Sequence, residues 1–122
     1  MPFQCLVVDD NERFLQVAKR LLEADGEVKV ENATTIDSAL RAVERQRPSV
    51  VLIDVSLGAG SGFDLVRILT DRHTGIARSI VIMSTRAEED YEGLIADLAL
   101  AGFIAKSDLS AAAIRQLVPH LP

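Results

Sequence analysis

The sequence predicts an α/β domain, a five-stranded parallel sheet with helices on both faces. Three observations predict it. Short, continuous apolar runs rich in β-branched residues recur along the chain, as in strands buried on both faces. Between them lie longer segments whose apolar residues fall at helical spacing. The two kinds alternate five times, which is the pattern of a sheet wound through crossover helices. The chain has 122 residues, enough for one domain with a core of its own.

Each element has a local reason. Gln4-Cys5-Leu6-Val7-Val8 is the first strand and ends in Asp9-Asp10. Asn11 is expected to cap the first helix by accepting from a free backbone N–H. Phe14, Ala18, Leu21 and Leu22 then mark its inner face, and Asp25-Gly26 stops it, glycine suiting the left-handed position after a helix end. Glu27–Ala33 alternates charged residues with Val28 and Val30, as an outer strand would. Thr35 opens the second helix, with Ile36, Leu40 and Val43 on one face, and Pro48 ends it.

The third strand, Ser49-Val50-Val51-Leu52-Ile53-Asp54, has four consecutive apolar residues and stops at a carboxylate. A loop follows, with Leu57-Gly58-Ala59-Gly60-Ser61-Gly62 inside it. The third helix turns Leu65, Val66 and Leu69 inward. Ser79-Ile80-Val81-Ile82-Met83 is the fourth strand and ends in Ser84-Thr85. Glu88-Glu89-Asp90 reads as an acidic first turn, favourable against a helix dipole. Tyr91, Leu94, Ile95 and Leu98 form the stripe of the fourth helix. Gly102–Ala105 is the fifth strand, ending in Lys106, and Asp108 or Ser107 is expected to cap a last helix with Ala113, Ile114 and Leu117 inward. Right-handed crossovers send all five strand ends to one edge. The expected class is the flavodoxin-like (βα)5 three-layer sandwich, with strand order 2-1-3-4-5.

Composition narrows the function. Apolar residues make up 48% and charged residues 25%, both near the globular average. No apolar run approaches the ~20 residues of a membrane helix, and Met1-Pro2-Phe3-Gln4 has no basic region before an apolar one, so no secretory signal is read. One cysteine, Cys5, falls in a strand pattern and reads as inert packing. These features predict a cytoplasmic protein. The net charge of −5 argues against direct nucleic-acid binding. His73 and His120 lack a second ligand at metal spacing and read as solvated. The glycine-rich loop has no lysine–serine/threonine ending, which excludes a nucleotide P-loop.

The strand ends carry the chemistry. Asp9 and Asp10 end strand one, Asp54 strand three, Ser84 and Thr85 strand four, and Lys106 strand five. Strands one and three are neighbours in the 2-1-3-4-5 order, so three carboxylates meet there. They repel, which raises at least one pKa unless a cation intervenes. Magnesium, a hard ion bound by carboxylates, a carbonyl and waters, suits them. A central carboxylate, a divalent ion, a lysine and a hydroxyl together suit in-line phosphoryl transfer onto aspartate.

The chain resembles a response-regulator receiver domain of the CheY-like kind, from residue 1 to residue 122, with five separated positions agreeing in type, order and strand-end placement. The resemblance implies a single phosphoacceptor domain over residues 1–122; no output domain is read in this chain, which is either a stand-alone receiver or a domain of a longer regulator. It implies Asp54 as phosphoacceptor, Asp10 as direct ligand of Mg2+ (or Mn2+), and Asp9 acting partly through water. The Ser56 backbone carbonyl would complete the metal site, with the Ser56 side chain placed to tune dephosphorylation. Ser84 matches the switch hydroxyl, Lys106 the lysine that pairs with the phosphoryl group, and Thr85 the small residue that leaves room for the donor. Phe103 falls at the switch aromatic. The implied protein is no enzyme beyond its own phosphorylation and dephosphorylation. The implied partners are a histidine kinase or phosphotransfer protein and a downstream effector or output domain, met through the face of helix four, strand five and helix five. Neither nucleic acid nor membrane is touched directly, and phosphorylation can drive homodimerisation.

Three departures stand against the family pattern. Ser107 follows the lysine where proline is frequent; a cis bond before serine costs about 2.5–4 kcal/mol. Phe103 lacks the hydroxyl of the commoner tyrosine. Gly58 replaces a frequent proline after the acceptor, which loosens that loop. Two other classes compete. A phosphate-independent interaction module would keep the fold without the chemistry, but the full acidic set argues against it. A haloacid-dehalogenase-type phosphatase would place Asp-x-Asp on the first strand, whereas this chain has adjacent Asp9-Asp10.

Overall fold

The computed structural model describes residues 2–57, 60–86 and 88–121. Its five main strands are β1 (Phe3–Val8), β2 (Val28–Ala33), β3 (Val50–Asp54), β4 (Ile80–Ser84) and β5 (Gly102–Ala105). All pair in parallel, in the order β2-β1-β3-β4-β5 that the sequence predicts. The helices are α1 (Glu12–Glu23), α2 (Ile36–Gln46), α3 (Gly62–Arg72), α4 (Glu92–Asp97) and α5 (Ala111–Leu117).

Alternation along the strands splits the core in two. Cys5, Val7, Val50, Leu52, Val81, Met83 and Ile104 pack with Leu15, Ala18 and Leu22 of α1 and Ile114 of α5. Leu6, Val8, Val51, Ile53, Ile80 and Ile82 pack with Ala39, Ala42 and Val43 of α2 and Leu65, Val66 and Leu69 of α3. Tyr91, Ile95 and Leu98 join that second cluster from the α4 side. Central strands buried on both faces explain why their runs are uniformly apolar. Burial pushes the Cys5 thiol far up, consistent with inert packing.

Caps fix the helix starts. Asn11 Oδ1 accepts from Phe14 N, as the sequence predicts. Thr35 and Ser38 cap α2 reciprocally. Ser61 and Asp64 do the same for α3.

Several local expectations are corrected. The last helix is capped by Ser110, which accepts from Ala113 N, and not by Asp108 or Ser107; residues Lys106–Asp108 instead wind into a 3₁₀ turn. The Lys106–Ser107 bond, which the sequence leaves open, is trans, and none of the described peptide bonds is cis. Leu21 points outward beside Val17, because Leu15 takes the inner position that the spacing gave to Leu21. The fourth helix spans only Glu92–Asp97, with Tyr91 at its start and Leu94 exposed. Ser79 ends a 3₁₀ turn before β4 rather than joining the strand. His73 is half-buried, with Nε2 enclosed and without a hydrogen-bond partner among the described residues, whereas His120 is exposed as expected, its Nε2 3.2 Å from Ser79 Oγ.

The segment after β3 is more ordered than a plain loop. Ser56–Leu57 pairs antiparallel with Gly60–Ser61. Gly58, whose substitution for proline is noted above, lies outside the described residues. Gly62 closes this excursion: its N–H donates to Val55 O at 2.9 Å. A Cβ at Gly62 would lie 2.0 Å from the Asp54 carbonyl oxygen. The start of α3 is therefore pressed against the backbone of Asp54, and only glycine fits. Gly62→Ala is expected to destabilise the fold by about 1–3 kcal/mol, read by urea denaturation.

Candidate functional site

The carboxyl edge of the sheet gathers the polar strand ends. Asp9 follows β1, Asp54 closes β3, and Lys106 follows β5. Asp9 and Asp54 are 0% and 6% exposed, whereas Asp10 is open to solvent. One carboxylate oxygen from each of Asp9, Asp10 and Asp54 lies within 4.8 Å of the other two. The sequence-predicted acidic set thus converges at one point.

Each member is held. Asp9 Oδ1 accepts from Asn11 N at 2.9 Å, so the residue that caps α1 also fixes the carboxylate. Asp9 Oδ2 makes no regular hydrogen bond but lies 2.5 Å from Lys106 Nζ, a close ion contact. The same ammonium lies 3.5 Å from Asp54 Oδ1. It also sits over the Phe14 ring, 4.6 Å from the centroid, an apolar flank that orients the cation. Phe14 is thus a contributor to the site that its helical spacing marked only as core.

Electrostatics follow. Burial pushes the Asp54 carboxyl above its ordinary range, and the Asp9 charge pushes the same way. The Lys106 ammonium and the Ser56 backbone N–H pull it down without cancelling the rise. Two buried carboxylates with one ammonium, beside a third carboxylate at the rim, leave an excess of negative charge. The donors are all hard oxygens, converging and partly open, so they fit a divalent hard cation such as Mg2+.

The hydroxyls are disposed differently. Ser84 is 3% exposed and lies next along β4 from Met83, the pairing partner of Asp54. Its Oγ accepts from Arg86 N at 2.9 Å and lies 3.3 Å from Tyr91 OH. Thr85 and the Ser56 side chain are exposed. Phe103 is half-buried, with its ring 6.0 Å from that of Tyr91 in a stacked arrangement. Sequence reasoning missed the Tyr91 contact, because helical spacing placed Tyr91 on the core stripe. The available signal is that Tyr91 is the one residue of that stripe with a hydroxyl.

Comparison with known proteins identifies the family and the fold. Residues 5–118 match the response regulator receiver domain family. The chain belongs to that family. It is 32% identical over 107 residues to the nitrate/nitrite response regulator protein NarP of Escherichia coli strain K12, covering 86% of this chain and 48% of NarP. A response regulator from Burkholderia pseudomallei, solved with a phosphorylated aspartic acid, calcium ion and citrate, is 25% identical with a TM-score of 0.80. That match covers 94% of this chain and 66% of the other. The Vibrio cholerae chemotaxis protein CheY4 has the same fold, with a TM-score of 0.83 at 20% identity, covering 99% and 100% of the two chains. The receiver spans half or less of the length of the curated relatives it matches.

The raised Asp54 carboxyl has a consequence for stability. The folded receiver binds that proton more tightly than the unfolded chain does. Its contribution is therefore most favourable below the ordinary carboxylate range and is lost as pH rises through the raised value. In metal-free buffer at neutral pH, Asp54→Asn is expected to unfold at a higher temperature than wild type. The gap is expected to close as the buffer is acidified toward the ordinary carboxylate range. Calorimetry at the two pH values checks this, and a gap that is absent or widens on acidification would contradict the raised carboxyl.

Proposed function

We propose that this receiver is a phosphorylation switch whose acceptor is Asp54, supplied by a histidine kinase or phosphotransfer protein. The observation that carries the reading is the convergence of Asp9, Asp10 and Asp54 around one point, with Lys106 Nζ beside two of them. The phosphorylated aspartic acid and calcium ion of the Burkholderia pseudomallei relative support it.

An Asp54 carboxylate oxygen attacks the phosphorus of the donor. The bond from phosphorus to the donor's leaving atom breaks, and the electron pair leaves with the donor. The product is an acyl phosphate. Asp9, Asp10, Asp54 and the Ser56 carbonyl hold Mg2+ (or Mn2+), which when bound supplies positive charge against the phosphoryl oxygens. Lys106, already between Asp9 and Asp54, pairs with an oxygen of the new group. Thr85, small and exposed, leaves the donor room to approach. Deprotonated Asp54 is the nucleophile, and a bound divalent ion, like Lys106, would favour that form.

Phosphorylation then biases a two-state equilibrium through Ser84 and Lys106, and the face of α4, β5 and α5 changes for an effector, an output domain or a second copy. The receiver acts on no substrate but itself, works in the cytoplasm and touches nucleic acid only through a partner. Among the described residues no helix is long and apolar enough to cross a membrane.

Intact-mass spectrometry after incubation with acetyl phosphate and Mg2+ tests the reading. Wild type is expected to gain one phosphoryl mass, and Asp54→Ala and an EDTA-treated sample are expected to gain none. No gain in folded protein, with the cognate kinase also failing, would favour a phosphate-independent interaction module. Mg2+ alone is expected to raise the melting temperature of wild type by mass action, and to raise that of Asp10→Asn less.

A further inference from the structure

Tyr91 is the chain's one tyrosine, and the chain has no tryptophan. Its ring lies between Phe63 and Phe103, with centroids 6.1 Å and 6.0 Å away. That places its hydroxyl 3.3 Å from Ser84 Oγ. We propose that Tyr91 is a resting-state latch, holding the Ser84 hydroxyl until a phosphoryl group on Asp54 competes for it. The proposal rests on the phosphoacceptor reading of Asp54.

The argument is one of hydrogen-bond capacity. A serine hydroxyl has one proton and two acceptor positions. Arg86 N fills one acceptor position at 2.9 Å. The single proton then serves one acceptor at a time. Either hydroxyl can donate across the 3.3 Å between them, and the latch assigns the Ser84 proton to the Tyr91 oxygen in the resting state. At 3.3 Å the bond is longer than the ~2.7–2.8 Å usual for hydroxyl pairs, so little is lost on giving it up. A phosphoryl oxygen is a charged acceptor and makes a bond about twice as strong as a neutral one. Phosphorylation therefore takes Ser84 from Tyr91. The tyrosine is left with an unpaired hydroxyl, and its stack with Phe103 of β5 is free to rearrange. A change at Asp54 reaches the α4–β5 face through one proton and two rings. Tyr91 touches no reacting atom and is a positioning residue.

The test uses Mg2+ with beryllofluoride as the phosphoryl analogue, and calorimetric titration of wild type, Tyr91→Phe, Ser84→Ala and the double variant. Phenylalanine keeps the ring stack, so Tyr91→Phe is expected to fold, which thermal denaturation checks. Tyr91→Phe is expected to bind the analogue about two- to fivefold more tightly than wild type. The double variant is expected to match Ser84→Ala, because the effect passes through Ser84. In wild type, the emission of the sole tyrosine is expected to change on binding. Equal or weaker binding by Tyr91→Phe, the same gain in the Ser84→Ala background, or unchanged tyrosine emission in the bound protein would each overturn the latch. If wild type binds no analogue, the phosphoacceptor reading falls and takes the latch with it.

Discussion

One ammonium holds the carboxyl edge of this sheet together. Asp9 and Asp54 are buried at the ends of adjacent strands, where two like charges in low dielectric repel strongly. Lys106 Nζ reaches both, at 2.5 Å and 3.5 Å, from the far end of β5. It does so from outside the central strands, across β4, and Phe14 of α1 limits where it can rest. Yet one positive charge does not neutralise two buried carboxylates and a third at the rim. Burial first, and then the Asp9 charge, raise the Asp54 carboxyl despite Lys106. A further cation at this cluster would offset the remaining negative charge and would stabilise the fold by mass action.

The alternation of the strands decides what shares a face. In β1 the odd residues Cys5 and Val7 face α1 and α5, and Asp9 continues that series. In β3 the even residues Val50 and Leu52 face the same way, and Asp54 continues them. Ile104 does so in β5, and Lys106 follows two residues on. Ser84 belongs to the opposite series, with Ile80 and Ile82, as do Phe103 and Tyr91. The charged groups therefore lie on one side of the sheet's edge and the hydroxyl with its aromatic neighbours on the other. Gly62, pressed on the Asp54 backbone, keeps the boundary between them fixed.

Most of this was legible in the sequence because it depends on period and order alone. Four apolar runs and one alternating run mark five strands, and their order sets the neighbours, so the sequence alone brings Asp9, Asp10, Asp54 and Lys106 to one edge. What the sequence hid depends on angle and on competition between near-equal choices. Leu15 and Leu21 both satisfy a helical stripe, and only the crossing of α1 over the sheet chooses Leu15. Ser107, Asp108 and Ser110 can each cap a helix, and the 3₁₀ turn at Lys106–Asp108 moves the start to the last of them. The Ser56–Leu57 and Gly60–Ser61 pairing is too short to leave a periodic signal. Tyr91 was read by its ring, as an apolar residue, and its hydroxyl was the part that mattered.

The division between the two faces bears on how a switch in this fold must work. A group attached to Asp54 lies with Lys106 on the α1–α5 side, where the charge is already managed by rigid, buried contacts. Those contacts can tighten, but they have little room to move, since Asp9 is pinned by Asn11 and Lys106 by Phe14. The side that can change is the one holding Ser84, where α4 is short, Leu94 and Thr85 are exposed, and the rings of Phe63, Tyr91 and Phe103 pack at centroid distances near 6 Å. Under the proposed function, a signal from Asp54 would cross the end of the sheet from the charged side to the aromatic side. Ser84 sits at that crossing, in the strand next to Asp54 but on the opposite series, and its small side chain is the group with least to lose by turning.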